Sequence, residues 1–284
     1  MIRESAVVLH QCERTDHRSL EAAMKNSTEK NPEQTSGLDA ALQTLQSYQV
    51  WDAGVRWFHW LNVLCVLLLI VIGVIILNAN SLGVSSEGKI TLKILHAWTG
   101  YAFTLNLLWR FIWGFIGGRY ARWSAVLPGG KGYSTALKGW IKGAKAGEPP
   151  AYRGHNPVAR LMLTVLFFLL TAQMVTGLVL AGTDLYFPPF GHEFAEWATG
   201  SGEDHARLEG LVPGAKEMLD PEGYAEMRKF REPFIEVHEI TFWLMLLAIV
   251  LHIGAVVATE VKEGNGLVSA MFSGRKVFPN KPLD

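Results

Sequence analysis

Four histidines lie within the long apolar segments of this chain, where a polar side chain needs a specific reason to be present. His59, His96 and His238 stand near the beginning of three of these segments, and His252 lies near the far end of the last one. A histidine inside a membrane helix is costly unless it has a partner, so each of the four is a candidate functional residue. Their number and arrangement indicate metal ligands rather than packing residues.

The apolar segments themselves are each long enough to form a membrane-spanning helix. They cover residues 57–77, 94–116, 158–181 and 234–258 of a chain of 284 residues. A spanning helix needs about 20 predominantly apolar residues. These runs are too long and too uniform for the strands and helices of a soluble α/β domain. The sequence therefore predicts an all-α membrane protein built as a bundle of four transmembrane helices.

The charges of two loops indicate how this bundle is oriented. The loop between the second and third spans is basic and contains a single acidic residue, Glu148. The loop between the third and fourth spans, residues 182–235, is long and acidic. Because cytoplasmic loops carry an excess of lysine and arginine, the basic loop is predicted to be cytoplasmic and the acidic loop to lie outside. Both termini are then cytoplasmic.

This orientation places the histidines at two depths. His59 and His252 lie near the inner face, whereas His96 and His238 lie near the outer face. His238 and His252 are two heptads apart, so both project from nearly one helix face with ~21 Å between them along the axis. The natural pairs, His59 with His252 and His96 with His238, predict two stacked metal centres. For an apolar pocket between helices, the expected occupant is haem held by paired imidazoles.

Three further residues are predicted to shape these sites. Gly73 follows His59 by fourteen residues and would leave room for the outer porphyrin, and Gly100 could admit a ring edge. Arg110 follows His96 by fourteen residues and lies at the inner depth, where a haem propionate could supply its counter-ion. The alternatives are ordinary close packing for the glycines and snorkelling to the inner interface for the arginine.

The absence of other sequence motifs narrows the choice of cofactor. Cys12 lies in the polar N-terminal segment and Cys65 inside the first span, so no disulfide between them is expected. The chain has no C-x-x-C-H motif, so haem bound here would be non-covalent and of the b type. It also has no P-loop and no G-x-G-x-x-G after a predicted strand, so no nucleotide-binding fold is indicated. No nucleic-acid partner is expected.

The polarity of the chain suggests three regions. Residues 1–49 are polar throughout and are predicted to form a disordered cytoplasmic extension. This segment has no apolar stretch of the length of a signal peptide, and Met24 is a second plausible start. Residues 50–259 are predicted to form the four-helix di-haem domain, and residues 260–284 a cytoplasmic tail.

Five stretches of the sequence resemble the prokaryotic cytochrome b-561 group and, within it, the b-type cytochrome subunits of nickel–iron hydrogenases. They read VWDAGVRWFHWLNVL, LHAWTGYAFTLNLLWRFIWGFIGGRYARW, GHNPVARLM, VHEITFWLMLLAIVLHI and LVSAMFSGRKVF. The resemblance covers about residues 50–281. It implies a four-helix bundle in the bacterial inner membrane that passes electrons between an outer donor and membrane quinone. It also implies two b haems, whose axial ligands are His59, His96, His238 and His252.

The outer partner is left open by the sequence. The acidic loop of residues 182–235 and the N-terminal extension depart from the nearest family members, and complementary charge would suit a basic soluble protein. A hydrogenase and a c-type cytochrome are both candidates, and a homo-oligomer is possible. Two other functions stay open: a self-contained oxidoreductase that oxidises superoxide and reduces quinone, and a haem-free membrane scaffold or transporter.

Overall fold

The computed structural model describes residues 46–200, 208, 211–214, 218–279 and 281–283. Most of the predicted extension, residues 1–45, therefore lies outside the described residues. The chain divides into two compact units. One consists of Tyr48–Lys276 with Pro282–Asp284 and contains every helix described below, and the other consists of Met1–Ser47 with Val277–Lys281.

Helices account for most of the described residues. The elements in chain order are β1 (Gln46–Gln49), α1 (Ala53–Leu77), α2 (Ser86–Ile116), α3 (Trp123–Val126), α4 (Tyr133–Lys145), α5 (Pro157–Leu185), α6 (Gly191–Thr199), α7 (Pro221–Glu263), α8 (Leu267–Ser273) and β2 (Arg275–Phe278). The two strands pair in a two-stranded sheet. Each of the four predicted spans falls inside one of the long helices α1, α2, α5 and α7.

Each long helix begins at a polar side chain that accepts a hydrogen bond from a backbone N–H of the first turn. Asp52 caps α1 by accepting from Val55 at 2.9 Å, and Ser85 caps α2. Asn156 caps α5 and Asp220 caps α7, in both cases with proline as the first helical residue. Proline suits this position because its missing N–H would have no partner inside the helix.

Within the part of the chain that the structure describes, three helices are long and apolar enough to cross a membrane by length and composition: α1, α5 and α7. Helix α2 has sufficient length at 31 residues. It is not among the three, since polar residues such as His96, Asn106 and Arg110 lower its hydropathy. The protein is thus a mostly helical membrane protein in which three of the four predicted spans are supported. The fourth span and the position of the termini stay predictions.

The long helices pack side by side around a small apolar core. Helix α1 lies along α2, α5 lies along α7, and α2 contacts α5. The core cluster contains Phe58, Cys65, Phe103, Leu107, Leu169, Leu170, Met245 and Ala248. The outward faces are also apolar; Leu105 and Phe168, for example, are each 69% exposed. Exposed apolar surface on this scale is expected where helices meet lipid.

Part of the segment predicted to be an acidic loop is helical instead. Helix α7 has 43 residues and begins at Pro221, well before the predicted span start at residue 234, with Pro233 inside it. At 1.5 Å per residue it is ~64 Å long, about twice the thickness of a bilayer core. Helix α6 packs on this extension through the rings of Phe194 and Trp197, whose centroids lie 5.7 and 5.6 Å from that of Phe230.

The segment predicted to be a cytoplasmic tail also has regular structure. Helix α8 is held against the start of α1, because Arg56 and Trp60 donate hydrogen bonds to the carbonyl oxygens of Phe272 and Met271. The rings of Trp60 and Phe272 are in contact, with centroids 4.6 Å apart. The end of this chain therefore supports the helix that carries His59.

Candidate haem site

A cavity of about 320 Å³ lies between the four long helices at the level of His96 and His238. Its walls are mostly apolar side chains of all four helices, together with Gly73, Gly100 and Gly177. A cavity of a few hundred Å³ lined by apolar groups and a few polar ones is typical of a cofactor site. His96 and His238 are among the side chains in its walls that could bind a metal.

The imidazoles of His96 and His238 face one another across this space. Their ring centroids are 6.4 Å apart and their planes are inclined by 73°. Two bonds of about 2 Å from a metal to imidazole nitrogens, plus about 1 Å from each nitrogen to its ring centre, give a separation of ~6 Å. One metal ion between the two rings therefore fits the distance that the structure shows.

The donor set favours haem over a bare ion. Among the residues that the structure describes, no group of three or more histidine, cysteine, aspartate or glutamate side chains could hold a metal. A metal held by two imidazoles alone needs its remaining ligands from elsewhere, and a porphyrin supplies four nitrogens in one plane. The arrangement thus fits an iron porphyrin with one axial ligand from α2 and one from α7.

Glycines stand next to both rings. A Cβ atom added to Gly73 would lie 3.4 Å from Cε1 of His96, and one added to Gly177 would lie 3.6 Å from Cε1 of His238. A Cβ added to Gly100 would meet no atom within 4 Å, because this residue faces the open cavity. The structure thus places Gly73, Gly100 and Gly177 in the walls of the outer cavity.

The polar atoms of the two outer histidines differ in their surroundings. Nδ1 of His238 lies 2.7 Å from Oγ1 of Thr176, while Gln173 donates a hydrogen bond of 2.8 Å to the carbonyl oxygen of His238. Nδ1 of His96 is buried and has no hydrogen-bond partner among the described residues. The sequence analysis did not predict that Gln173 and Thr176 contact His238.

The inner pair consists of His59 on α1 and His252 on α7. His59 and His252 are near enough for their charges to interact. The ring of His59 meets Trp60 edge-on at 5.1 Å, and its Nδ1 is buried without a partner in the described part of the chain. In each predicted pair, the structure therefore places the two histidines near one another. For the outer pair it also gives the distance and angle between the rings.

Arg110 points into the protein rather than toward the surface. Its side chain is only 3% exposed and its Nη2 donates to the carbonyl oxygen of Ala121 at 2.9 Å. The guanidinium lies 4.8, 5.3 and 5.9 Å from the ring centroids of Trp123, Phe167 and Phe58. The guanidinium is thus buried among aromatic rings and is not exposed at the protein surface. Nη1 has no partner among the described residues, so it is free to bind an anionic group.

An ionic cluster, which the sequence reasoning missed, connects three helices beside the outer cavity. Asp184 of α5 accepts from Lys93 of α2 at 2.5 Å and forms an ion pair with Arg231 of α7. Lys93 precedes His96 by three residues and Arg231 precedes His238 by seven, so each cation shares a helix face with an outer histidine. That spacing is the signal that could have revealed the cluster.

A separate group of basic residues surrounds His155, just before the start of α5. The ring of His155 packs on Trp51 with centroids 4.6 Å apart, and Lys276 donates to the carbonyl oxygen of Gly154 at 3.1 Å. Burial, and then the positive charges of Lys276, Arg110 and Arg160, lower the pKa of His155 to about 3. This imidazole is neutral at physiological pH and acts as a packing residue.

Comparison with known proteins identifies the family of this chain. Residues 50–274 match the family model described as prokaryotic cytochrome b561. The chain is similar to the probable Ni/Fe-hydrogenase 1 B-type cytochrome subunit of Escherichia coli K12, with 31% identity over 177 residues, 56% of this chain and 72% of that protein.

Two other relatives, both named probable Ni/Fe-hydrogenase B-type cytochrome subunit, align over more of the sequence. The protein from Cupriavidus necator is 23% identical over 260 residues, 85% of this chain and 92% of its own. The protein from Rhodobacter capsulatus is 24% identical over 263 residues, 87% and 90% of the two chains. The resemblance inferred from five sequence stretches is thereby confirmed: the chain belongs to the prokaryotic cytochrome b561 family and is a membrane b-type cytochrome, a haem b protein.

Proposed function

We propose that this protein is a di-haem cytochrome that transfers electrons between a redox partner outside the membrane and quinone within it. The observation that carries the proposal is the pair of imidazoles of His96 and His238, which face each other at 6.4 Å across a cavity between four helices. The second haem rests on the neighbouring positions of His59 and His252 at the other depth.

Each predicted site residue has a defined part in this proposal. His96 and His238 would hold the outer haem, and His59 and His252 would hold the inner haem. Haem iron supplies one-electron redox chemistry, while the protein sets ligands, spacing and electrostatics. Ligation by two imidazoles leaves no open position for oxygen at the metal, which favours electron transfer.

The remaining site residues make room for the porphyrins and balance their charge. Gly73 and Gly100 leave space at the outer site, because neither has a side chain that would enter the cavity. The unpaired Nη1 of buried Arg110 is the donor proposed for a propionate of the inner haem. A charge-assisted hydrogen bond of this kind is about twice as strong as a neutral one.

The proposed partner outside the membrane is a nickel–iron hydrogenase, because the relatives are named as cytochrome subunits of such enzymes. A c-type cytochrome is the alternative, and the exposed Glu222, Glu226 and Glu236 of the outer part of α7 would suit a basic one. In this arrangement four helices span the bacterial inner membrane and both termini are cytoplasmic.

The other functions that the sequence left open fit less well. The exposed glutamates would repel superoxide, an anion, from the outer surface. Membership of a cytochrome family argues against a haem-free scaffold or transporter, and such a protein would have no use for two imidazoles held at metal-bridging distance.

The experiment that tests this function is haem quantitation with reduced-minus-oxidised spectra on the purified full-length protein. We expect two b haems per chain in the wild type and about one in each of His59→Ala and His238→Ala. His192→Ala is the matched control, because His192 lies in α6, outside the predicted spans, with its Nε2 3.3 Å from Glu196. It should retain both haems.

Two results would contradict the proposal. A wild-type protein without haem, expressed with haem available, would remove the redox function altogether. Retention of both haems in His238→Ala would refute the ligand assignment.

For the quinone half of the proposal, a short-chain quinol added to the oxidised protein should reduce its haem, and an unchanged spectrum would argue against a quinone site.

A further inference from the structure

Helix α5 contributes no histidine to the candidate site, yet it makes the hydrogen bonds that orient His238. Thr176 contacts Nδ1 of the imidazole, and Gln173 donates to the carbonyl oxygen of the same residue and to Oγ1 of Thr241, both at 2.8 Å. Gly177 approaches the ring from the same side. Both the backbone and the ring of His238 are therefore held by one neighbouring helix.

The direction of the contact between Thr176 and His238 follows from the other partner of the hydroxyl. Oγ1 of Thr176 lies 2.7 Å from the carbonyl oxygen of Ala172, which can only accept. A threonine hydroxyl has a single hydrogen, so that hydrogen goes to Ala172 and the oxygen must accept from the imidazole. Nδ1 of His238 consequently carries a proton, and Nε2 keeps the lone pair with which it can bind a metal.

We infer that Thr176 is a positioning residue for the outer haem: it fixes the tautomer and orientation of His238 and makes its Nε2 a stronger electron donor. The inference rests on the proposed function. A hydrogen bond from the distal N–H of a ligating histidine is known to orient the ring and raise its basicity, and losing such a partner typically costs about 10–100-fold in metal affinity.

The two axial ligands of the outer haem are thereby unequal. His238 has an acceptor for its Nδ1–H, whereas Nδ1 of His96 is buried with no acceptor in the described part of the chain and has Gly73 beside its ring. A more basic imidazole stabilises ferric iron relative to ferrous iron. Thr176 therefore lowers the reduction potential of the outer haem. The reduction potential of the inner haem does not depend on this hydrogen bond.

The test is an optical redox titration of the full-length protein with Thr176→Val and Thr176→Ser. Valine keeps the shape but has no acceptor, and serine restores the hydroxyl. We expect the outer haem of Thr176→Val, identified as the haem absent from His238→Ala, to titrate at a higher potential. A tenfold loss of preference for the ferric state is a shift of about 59 mV for a one-electron couple. Thr176→Ser should return toward the wild type.

Thr171→Val is the matched control, because Thr171 lies on the same helix and its hydroxyl likewise bonds the carbonyl four residues earlier, Phe167, at 2.7 Å. It should leave both potentials unchanged. If Thr176→Val loses the outer haem completely while Thr176→Ser and Thr171→Val keep it, the positioning role is supported as well.

Two outcomes would overturn the inference: an unchanged potential in Thr176→Val with haem bound, or a Thr176→Ser protein that behaves like Thr176→Val. These are distinct from failure of the proposed function, in which the wild-type protein itself would bind no haem.

Discussion

Filling the outer cavity from Gly100 should remove one haem without unfolding the protein. Gly100 lines the cavity, and a Cβ added to it would meet no atom within 4 Å. Leucine adds four non-hydrogen atoms; if each occupies about the 30 Å³ of a water molecule, the side chain takes roughly 120 Å³. That is about a third of the 320 Å³ available.

The same substitution should not weaken the polypeptide itself. Replacing a glycine inside a helix with leucine gains ~0.8 kcal/mol from helix propensity, and the new side chain enters space that no protein atom occupies. We expect Gly100→Leu to fold with wild-type helix content, to retain the inner haem and to lose the outer one, with affinity falling at least tenfold, which is about 1.4 kcal/mol.

The assay is haem per chain with the difference spectrum, together with circular dichroism during heating. Gly254→Leu is the control, since Gly254 lies exposed in α7 and its added Cβ would also meet no atom within 4 Å. Two haems per chain in Gly100→Leu, at wild-type affinity, would refute the assignment of this cavity. Loss of both haems with loss of helix content would contradict the claim that the space is otherwise empty.

Two further predictions concern the charged clusters. Because the pKa of His155 is lowered to about 3 from its ordinary 6.5, the unfolded state binds a proton first as the pH falls, so this residue's stability contribution is complete above pH 6.5 and declines toward pH 3. The loss of stability at pH 5 is ~2 kcal/mol. Thermal unfolding at pH 7.5 and pH 5 should show this loss in the wild type and a smaller loss in His155→Phe. Equal losses in the two proteins would contradict the prediction. Asp184→Asn should destabilise the protein by about 2 kcal/mol, between the values for exposed and buried ion pairs, because it removes the carboxylate that pairs with both Lys93 and Arg231. Lys93→Met in the same protein should recover part of the lost melting temperature, and a single mutant as stable as the wild type would exclude a structural role for the cluster.

The outer site could be predicted closely from the sequence because helix geometry turns residue spacing into depth and direction. His96 and His238 come from helices far apart in the chain, yet the positive-inside rule and the start of each span put them at one level. The structure places their ring centroids 6.4 Å apart, with the two planes inclined by 73°. Gly73 could be located by the same reasoning, since an offset of fourteen residues returns to one face of a helix.

Features that depend on how separate helices meet could not be predicted in the same way. Whether Thr176 reaches His238 depends on the contact between α5 and α7, which no periodicity within either helix defines. Helix α7 also continues through Pro233, where the sequence suggested a boundary. Proline removes one backbone donor and disturbs the preceding turn, but packing of the extension against α6 favours the helix on both sides of it.

His238 and His252 lie on one uninterrupted helix, α7. This restricts which mutations of the gene can preserve both candidate ligands. Inserting one residue between His238 and His252 would turn the second imidazole by about 100° and displace it by about 1.5 Å. Inserting seven would restore its direction to within about 20° but move it by more than 10 Å. Substitutions in this stretch should therefore be accepted far more often than insertions or deletions. The number of residues between His238 and His252 should therefore stay constant while the residues themselves vary.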